Sequence, residues 1–149
     1  MVKTNTIILL RNVSIIFLAL IGLQFWLGMS INLELNLPVK NLSAIGSIEY
    51  YAGHFGFILA HVVNGILLLL TALVYLAIAL RSKVRPLEII GIVGTVSIVS
   101  AIGLGIMFLV SGQFFGWSIG MAMSAVSALI VYAIGLYFIG AHIDGTEPV

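Results

Sequence analysis

YYAGHFGFILAHVVNGILLLLTALVYLAIAL, residues 50–80, runs without a single Asp, Glu, Lys or Arg. About 20 apolar residues of helix are enough to cross a hydrocarbon core, and this run is longer than that. Three further windows of the same kind, at roughly 13–30, 87–110 and 118–141, surround it. Between Ile89 and Ile143 there is again no acidic residue, lysine or arginine. None of these runs shows the two-residue alternation of a barrel strand, whereas a helix satisfies every backbone group internally in lipid. The reading is an all-α polytopic membrane protein: a single four-helix transmembrane domain over residues 1–149. Its spans lie at about 8–31, 48–81, 86–111 and 117–142, with an outer loop over about 32–47.

Composition agrees. The chain is 62% hydrophobic and 7% charged, with a mean hydropathy of +1.26, where a soluble domain carries about 25% charged residues. So few polar groups cannot cover a water-soluble fold of this size, so the solvent is the lipid bilayer. The formal net charge is +1, with no basic block to hold a phosphate backbone, which excludes nucleic acid as a partner. Cysteine is absent, which removes disulfides, thiolate metal sites and cysteine nucleophiles together. The first apolar run, about 18 residues, exceeds the h-region of a cleavable signal peptide and is read as a retained span.

Charge asymmetry orients the bundle. Lys3 and Arg11 precede the first span, and Arg81, Lys83 and Arg85 fill the link between the second and third, while residues 111–117 carry no charge. The positive-inside bias therefore puts both termini in the cytoplasm and the start of the second span outside, in a multi-pass protein of the cell membrane. Asn41-Leu42-Ser43 in the outer loop is a glycosylation acceptor pattern on the side where it can be used. Pro86 suits the first turn of the third span, and Glu88 there meets the positive end of the helix dipole. Small residues recur at four-residue spacing, as Ala52, Gly56 and Ala60, as Ser97, Ala101 and Gly105, and as Gly120, Ser124 and Ala128. These ridges let backbones approach, in the bundle interior or against a partner protein or second copy.

The polar residues at membrane depth carry what chemistry there is. His54 and His61 are seven residues apart, which on one continuous helix puts both imidazoles on one face, roughly 10 Å apart. Neutral imidazole is a ligand for haem iron, copper or zinc, and its second nitrogen is normally fixed by another group. Asn64 follows His61 by three residues and is a candidate for that role. Two histidines on one helix cannot bind one iron from opposite sides, so the second ligand must come from another span. Met121 and Met123 enter the membrane at the depth of His61, and a thioether is an accepted axial ligand, though methionine is also a routine packing residue. Gln24 lies near the outer third of the first span, where it hydrogen-bonds either a bound head group or a neighbouring helix. Glu49 sits about 140° around a helix from His54, which disfavours a carboxylate–histidine pair. His142 is a dipole-compatible end residue, and Trp26, Trp117, Tyr50 and Tyr51 form an aromatic belt at the outer ends. There is no Ser, His and Asp set, no phosphate loop and no intramembrane acid, so hydrolase, kinase and proton-driven transporter readings lose their usual machinery.

Glu49-Tyr-Tyr-Ala-Gly-His54, followed by Phe55 to His61 and Asn64-Gly65, resembles the half-size, single-domain form of haem A synthase. In that family a Glu-x-x-His pattern opens the second helix, further histidine comes from the fourth, and many members carry a pair of outer-loop cysteines. Here the Glu-to-His spacing is five, the outer end of the fourth span has no histidine, and cysteine is absent. The resemblance thus implies topology and a haem-related setting, with no catalytic residue carried across. The chain also looks like small four-helix membrane proteins of unassigned function, in which Ser118-x-x-Met121 would open the fourth helix. The leading expectation is an outer-leaflet b-type haem in electron transfer or a respiratory assembly. His61 is its metal ligand, His54, Asn64 and Gln24 surround the cofactor, and Met121 or Met123 is a candidate second ligand. The alternatives are a cofactor-free accessory subunit that binds partner helices and, third, a haem-modifying enzyme.

Overall fold

A computed structural model describes residues 4–34, 43–111 and 113–143, without the side chains of residues 4, 33, 34, 142 and 143. The side chain of His142, Lys3, the Asn41 acceptor pattern's first two residues and residues 35–42 of the outer loop therefore lie outside the described residues. Those described form helices and short links, with no strand among them: α1 Thr4–Glu34, α2 Ala44–His54, α3 Gly56–Ser82, α4 Arg85–Val110 and α5 Phe115–Ile143. Four of the five, α1, α3, α4 and α5, are long and apolar enough to cross a membrane. The chain is a multi-pass membrane protein with an all-α four-helix bundle.

The bundle closes as a ring. α1 packs on α3 and α5, and α4 packs on the same two, so α1 and α4 stand diagonally opposite. This is up-down-up-down connectivity of the four spans, and the start of α1 and the end of α5 lie at one end, here called proximal. The α3–α4 link turns on Lys83 in the left-handed region (φ 57°). Ser82 Oγ donates to Ala79 O at 2.7 Å and accepts from Val84 N at 3.2 Å, which serves backbone groups left over at a helix end. Pro86 and Glu88 fall in the first turn of α4, as the sequence suggests.

The second span departs from expectation. Hydropathy predicts a single helix over about 48–81, but the chain breaks at Phe55, which is extended at φ −129°, ψ 104°. Gly53 and Gly56 flank it, and glycine in a helix interior costs about 1 kcal/mol relative to alanine. The break orphans no backbone group at Phe55. Its N–H donates to Tyr51 O at 2.9 Å to close α2, and its carbonyl accepts from Ile58 N at 3.0 Å and Leu59 N at 3.2 Å to open α3. Hydropathy cannot register such a break because both sides of it are equally apolar. α2, capped by Ser43 accepting from Gly46 N at 3.2 Å, packs on α3 and also on α4, with Ser47 and Tyr51 buried beneath it.

The core fills the proximal half. Phe17, Tyr75 and Tyr132 are fully buried there. The Phe17 and Tyr132 rings lie 3.9 Å apart, and Tyr75 meets Tyr132 edge-on at 5.0 Å, an arrangement aromatic quadrupoles favour. The ridges of α4 and α5 face inward as expected: a Cβ on Gly105 would stand 3.2 Å from Met121 Sδ, and one on Gly120 would stand 3.2 Å from Leu104 Cδ1. The ridge of the second span does not, since Gly56 and Ala60 are exposed. The interruption at Phe55 separates Ala52 from the other two, so the three no longer form one stripe.

Candidate functional site

Above the aromatic core, in the distal half, the four spans part around a cavity of about 500 Å³. Its walls are Ile21, Phe25 and Gly28 of α1, Ile58, His61 and Gly65 of α3, Ala101, Gly105 and Leu109 of α4, and Ser118, Met121 and Ala125 of α5, among others. Ile48 of α2 joins them, so the break at Phe55 brings α2 over the cavity instead of prolonging α3. A space of this size between bundle helices falls within the range of small-molecule sites, about 300–1,000 Å³.

One wall is polar. Asn64 is buried and its Nδ2 donates twice, to Leu20 O at 2.9 Å and to Gln24 Oε1 at 2.7 Å. Gln24 Nε2 in turn lies 3.0 Å from His61 Nε2. The directions of these bonds follow from the backbone. Leu20 O is a carbonyl and only accepts, so the Asn64 group beside it is the NH₂, and the Gln24 group beside that NH₂ is the oxygen. Gln24 therefore offers its own NH₂ to His61, and His61 Nε2 accepts. A ring nitrogen that accepts is unprotonated, which leaves the imidazole neutral with its hydrogen on Nδ1. That Nδ1 is buried with no hydrogen-bond partner, and so is Asn64 Oδ1.

Glycine makes the crossing of α1 and α3 close enough for these bonds. A Cβ on Gly28 would stand 3.4 Å from His61 Cε1, and one on Gly65 would stand 3.6 Å from Gln24 Nε2. Each polar side chain thus lies over the glycine of the opposite helix, a reciprocal fit that small residues permit in lipid.

Gln24, His61 and Asn64 are brought together; Gln24, His61 and Met121 line the cavity, and Asn64 stands behind Gln24. The expectation that Asn64 fixes His61 directly is corrected, because the structure joins them through Gln24 of another helix. Met123 is not at the site: it is 61% exposed, two residues from Met121 and therefore about 200° around α5. His54 is not there either. It ends α2, donates from Nδ1 to Tyr50 O at 2.7 Å and stacks on the Tyr50 ring at 4.4 Å. The shared face expected for the two histidines is lost with the helix break. No group of three or more His, Cys, Asp or Glu is gathered among the described residues.

Two features escaped sequence reasoning. The cavity itself is one, since its walls read as ordinary span. The other is the proximal pair Tyr75 and Tyr132, fully buried and seated where α4 and α5 have glycines: a Cβ on Gly94 would overlap the Tyr132 ring, and one on Gly135 would stand 3.1 Å from Tyr75 Oη. Two tyrosines within long apolar runs were the available signal. No protein family, characterised protein or solved structure matches the chain.

Proposed function

We propose that this chain is a small multi-pass protein of the cell membrane that holds a lipophilic molecule in its distal cavity, with Gln24 and His61 as the polar contact. The observation that carries this reading is the cavity of about 500 Å³ with the hydrogen-bonded Gln24 and His61 on one wall. Interiors are normally close-packed, and a polar group in lipid is costly unless partnered. A space bordered by a deliberate polar patch is what a ligand site requires. With the positive-inside orientation, the site opens in the outer half of the membrane. The test is ligand retention. Protein purified in mild detergent and extracted with organic solvent is expected to release a stoichiometric apolar compound, seen by mass spectrometry, and Ala101→Phe or Gly105→Phe, which fill the cavity, is expected to abolish it. Release of the same compound by the filled variants would refute the reading.

A b-type haem, with service in electron transfer or a respiratory assembly, is the second reading. It is favoured by His61 and Met121 lining one cavity. As folded, the donors do not fit iron: Nε2 of His61 accepts from Gln24, Nδ1 carries the proton, and among the described residues no lysine or arginine lines the cavity to meet propionates. A Soret band that vanishes in His61→Ala would establish this reading all the same, and would reopen the haem-modifying enzyme. The accessory-subunit reading draws on the exposed Gly56 and Ala60, a small-residue step on the lipid-facing side of α3. Copurification with a larger membrane protein, lost in Ala60→Leu, is its test.

A further inference from the structure

We infer that the distal cavity is filled from the side, by an acyl chain of a lipid in the distal leaflet that enters through the seam between α1 and α5. The inference rests on the ligand-binding reading above and deepens it by naming the ligand's class and its way in.

Glycines set the seams. In the distal half they tie the four spans into two close pairs: Gly28 and Gly65 let α1 and α3 approach around His61 and Gln24, and Gly105 and Gly120 let α4 and α5 approach around Met121 and Leu104. Between the pairs run two seams, α3 against α4 and α1 against α5, and each is closed in the proximal half. There Thr95 Oγ1 donates to Ala72 O at 3.4 Å across the first, and the Phe17 and Tyr132 rings meet across the second. Distally the two seams differ. α2 packs on α3 and α4 and on neither α1 nor α5, with Tyr51 fully buried, so it covers the distal end of the first seam and, among the described helices, none covers the second. Exposure agrees with this. Met29 of α1 and Ala122 of α5 both line the cavity and both are exposed, whereas the walls of a closed cavity would be screened. The two residues lie within the spans, so what they meet outside is lipid.

Depth decides the occupant. The cavity walls run from Ile21 to Asn32 on α1 and from Ile98 to Leu109 on α4, a helical rise of roughly 16 Å. One leaflet contributes about 15 Å of hydrocarbon. A space open at the side is thus as deep as the chains of one leaflet are long. Asn32 and Ser118 stand at its distal rim, at the level of the head groups. An acyl chain lies in the cavity while its head group stays at that rim, and Gln24, about 12 Å below Asn32, meets a polar group carried along the chain.

The experiment places the full chain in nanodiscs with one of two photolabels: a phosphatidylcholine with a diazirine near the end of its acyl chain, or the small apolar compound trifluoromethyl-phenyldiazirine. Labelled residues are read by peptide mass spectrometry. Both reagents are expected to reach Leu68 and Ile98, which line the cavity and are otherwise buried. Ala122→Trp, checked for folding by size exclusion, fills the seam and is expected to lose the phosphatidylcholine label at these residues while keeping the small one. Val63→Trp, on an exposed position away from the cavity, should keep both. If the small label alone reaches Leu68 and Ile98 in the native chain, the cavity is closed to lipid chains, and the inference is overturned with the ligand-binding reading intact. Phosphatidylcholine label that survives Ala122→Trp overturns it too, since entry would then lie at the other seam, where Ile66 is exposed. Should neither reagent reach these residues, the ligand-binding reading itself falls.

Discussion

Asn64 uses both amide hydrogens, one on the Leu20 carbonyl and one on Gln24, and by doing so sets the protonation pattern of a histidine it does not touch. A backbone carbonyl in a helix cannot turn over as a side-chain amide can, so the order imposed on Asn64 passes unchanged to Gln24 and then to His61. In membrane bundles an interhelical hydrogen bond contributes about 0.6 kcal/mol on average and seldom above 1.7. Asn64→Leu removes two such bonds, and the expected loss is about 1–2 kcal/mol, seen as a lower Tm in detergent. Nitrogen NMR of labelled histidine offers an independent check. The native chain should show His61 with a protonated Nδ1 and a bare Nε2, and finding the opposite tautomer would break the chain of inference from Leu20 to the cavity. The three polar residues are plain in the sequence as intramembrane polar positions. Their linkage is not, because Gln24 and Asn64 are separated by 40 positions and only packing brings them within bonding distance.

At the scale of helices, two devices shape the bundle. The first is Phe55, where one extended residue serves both helix ends and sends α2 across to α4. The second is the contact of α4 with α5, where the Tyr132 ring occupies the space over Gly94 that a side chain would need. Gly94→Ala is expected to destabilise the protein by about 1–3 kcal/mol, the usual cost of overpacking a filled interior. Gly94→Ala combined with Tyr132→Leu should recover much of that loss in thermal unfolding, because the smaller side chain removes the overlap. A neutral Gly94→Ala would mean that Tyr132 does not sit there. Four-residue spacing of small side chains located the α4 and α5 faces correctly. It failed for Ala52, Gly56 and Ala60, because periodicity assumes an unbroken helix and the break at Phe55 leaves no mark in hydropathy.

For the whole molecule, orientation is the property that lends itself to a direct test. The native chain has no cysteine, so single cysteines can be introduced without background. Glu49→Cys on α2 is expected to react with a membrane-impermeant maleimide in intact cells. Lys83→Cys in the α3–α4 link should react only after permeabilisation, and the reverse pattern would invert the topology. The environment and the span count followed from the sequence alone, since lipid demands about 20 apolar residues per crossing and helical closure of every backbone bond. Composition is a sum over residues, so a single chain states it fully. The cavity, its covering helix and the direction of its hydrogen bonds were decided only in three dimensions. They arise where four helices fail to fill a space and where a carbonyl of one helix meets an amide of another, and neither condition is a property of any residue taken by itself.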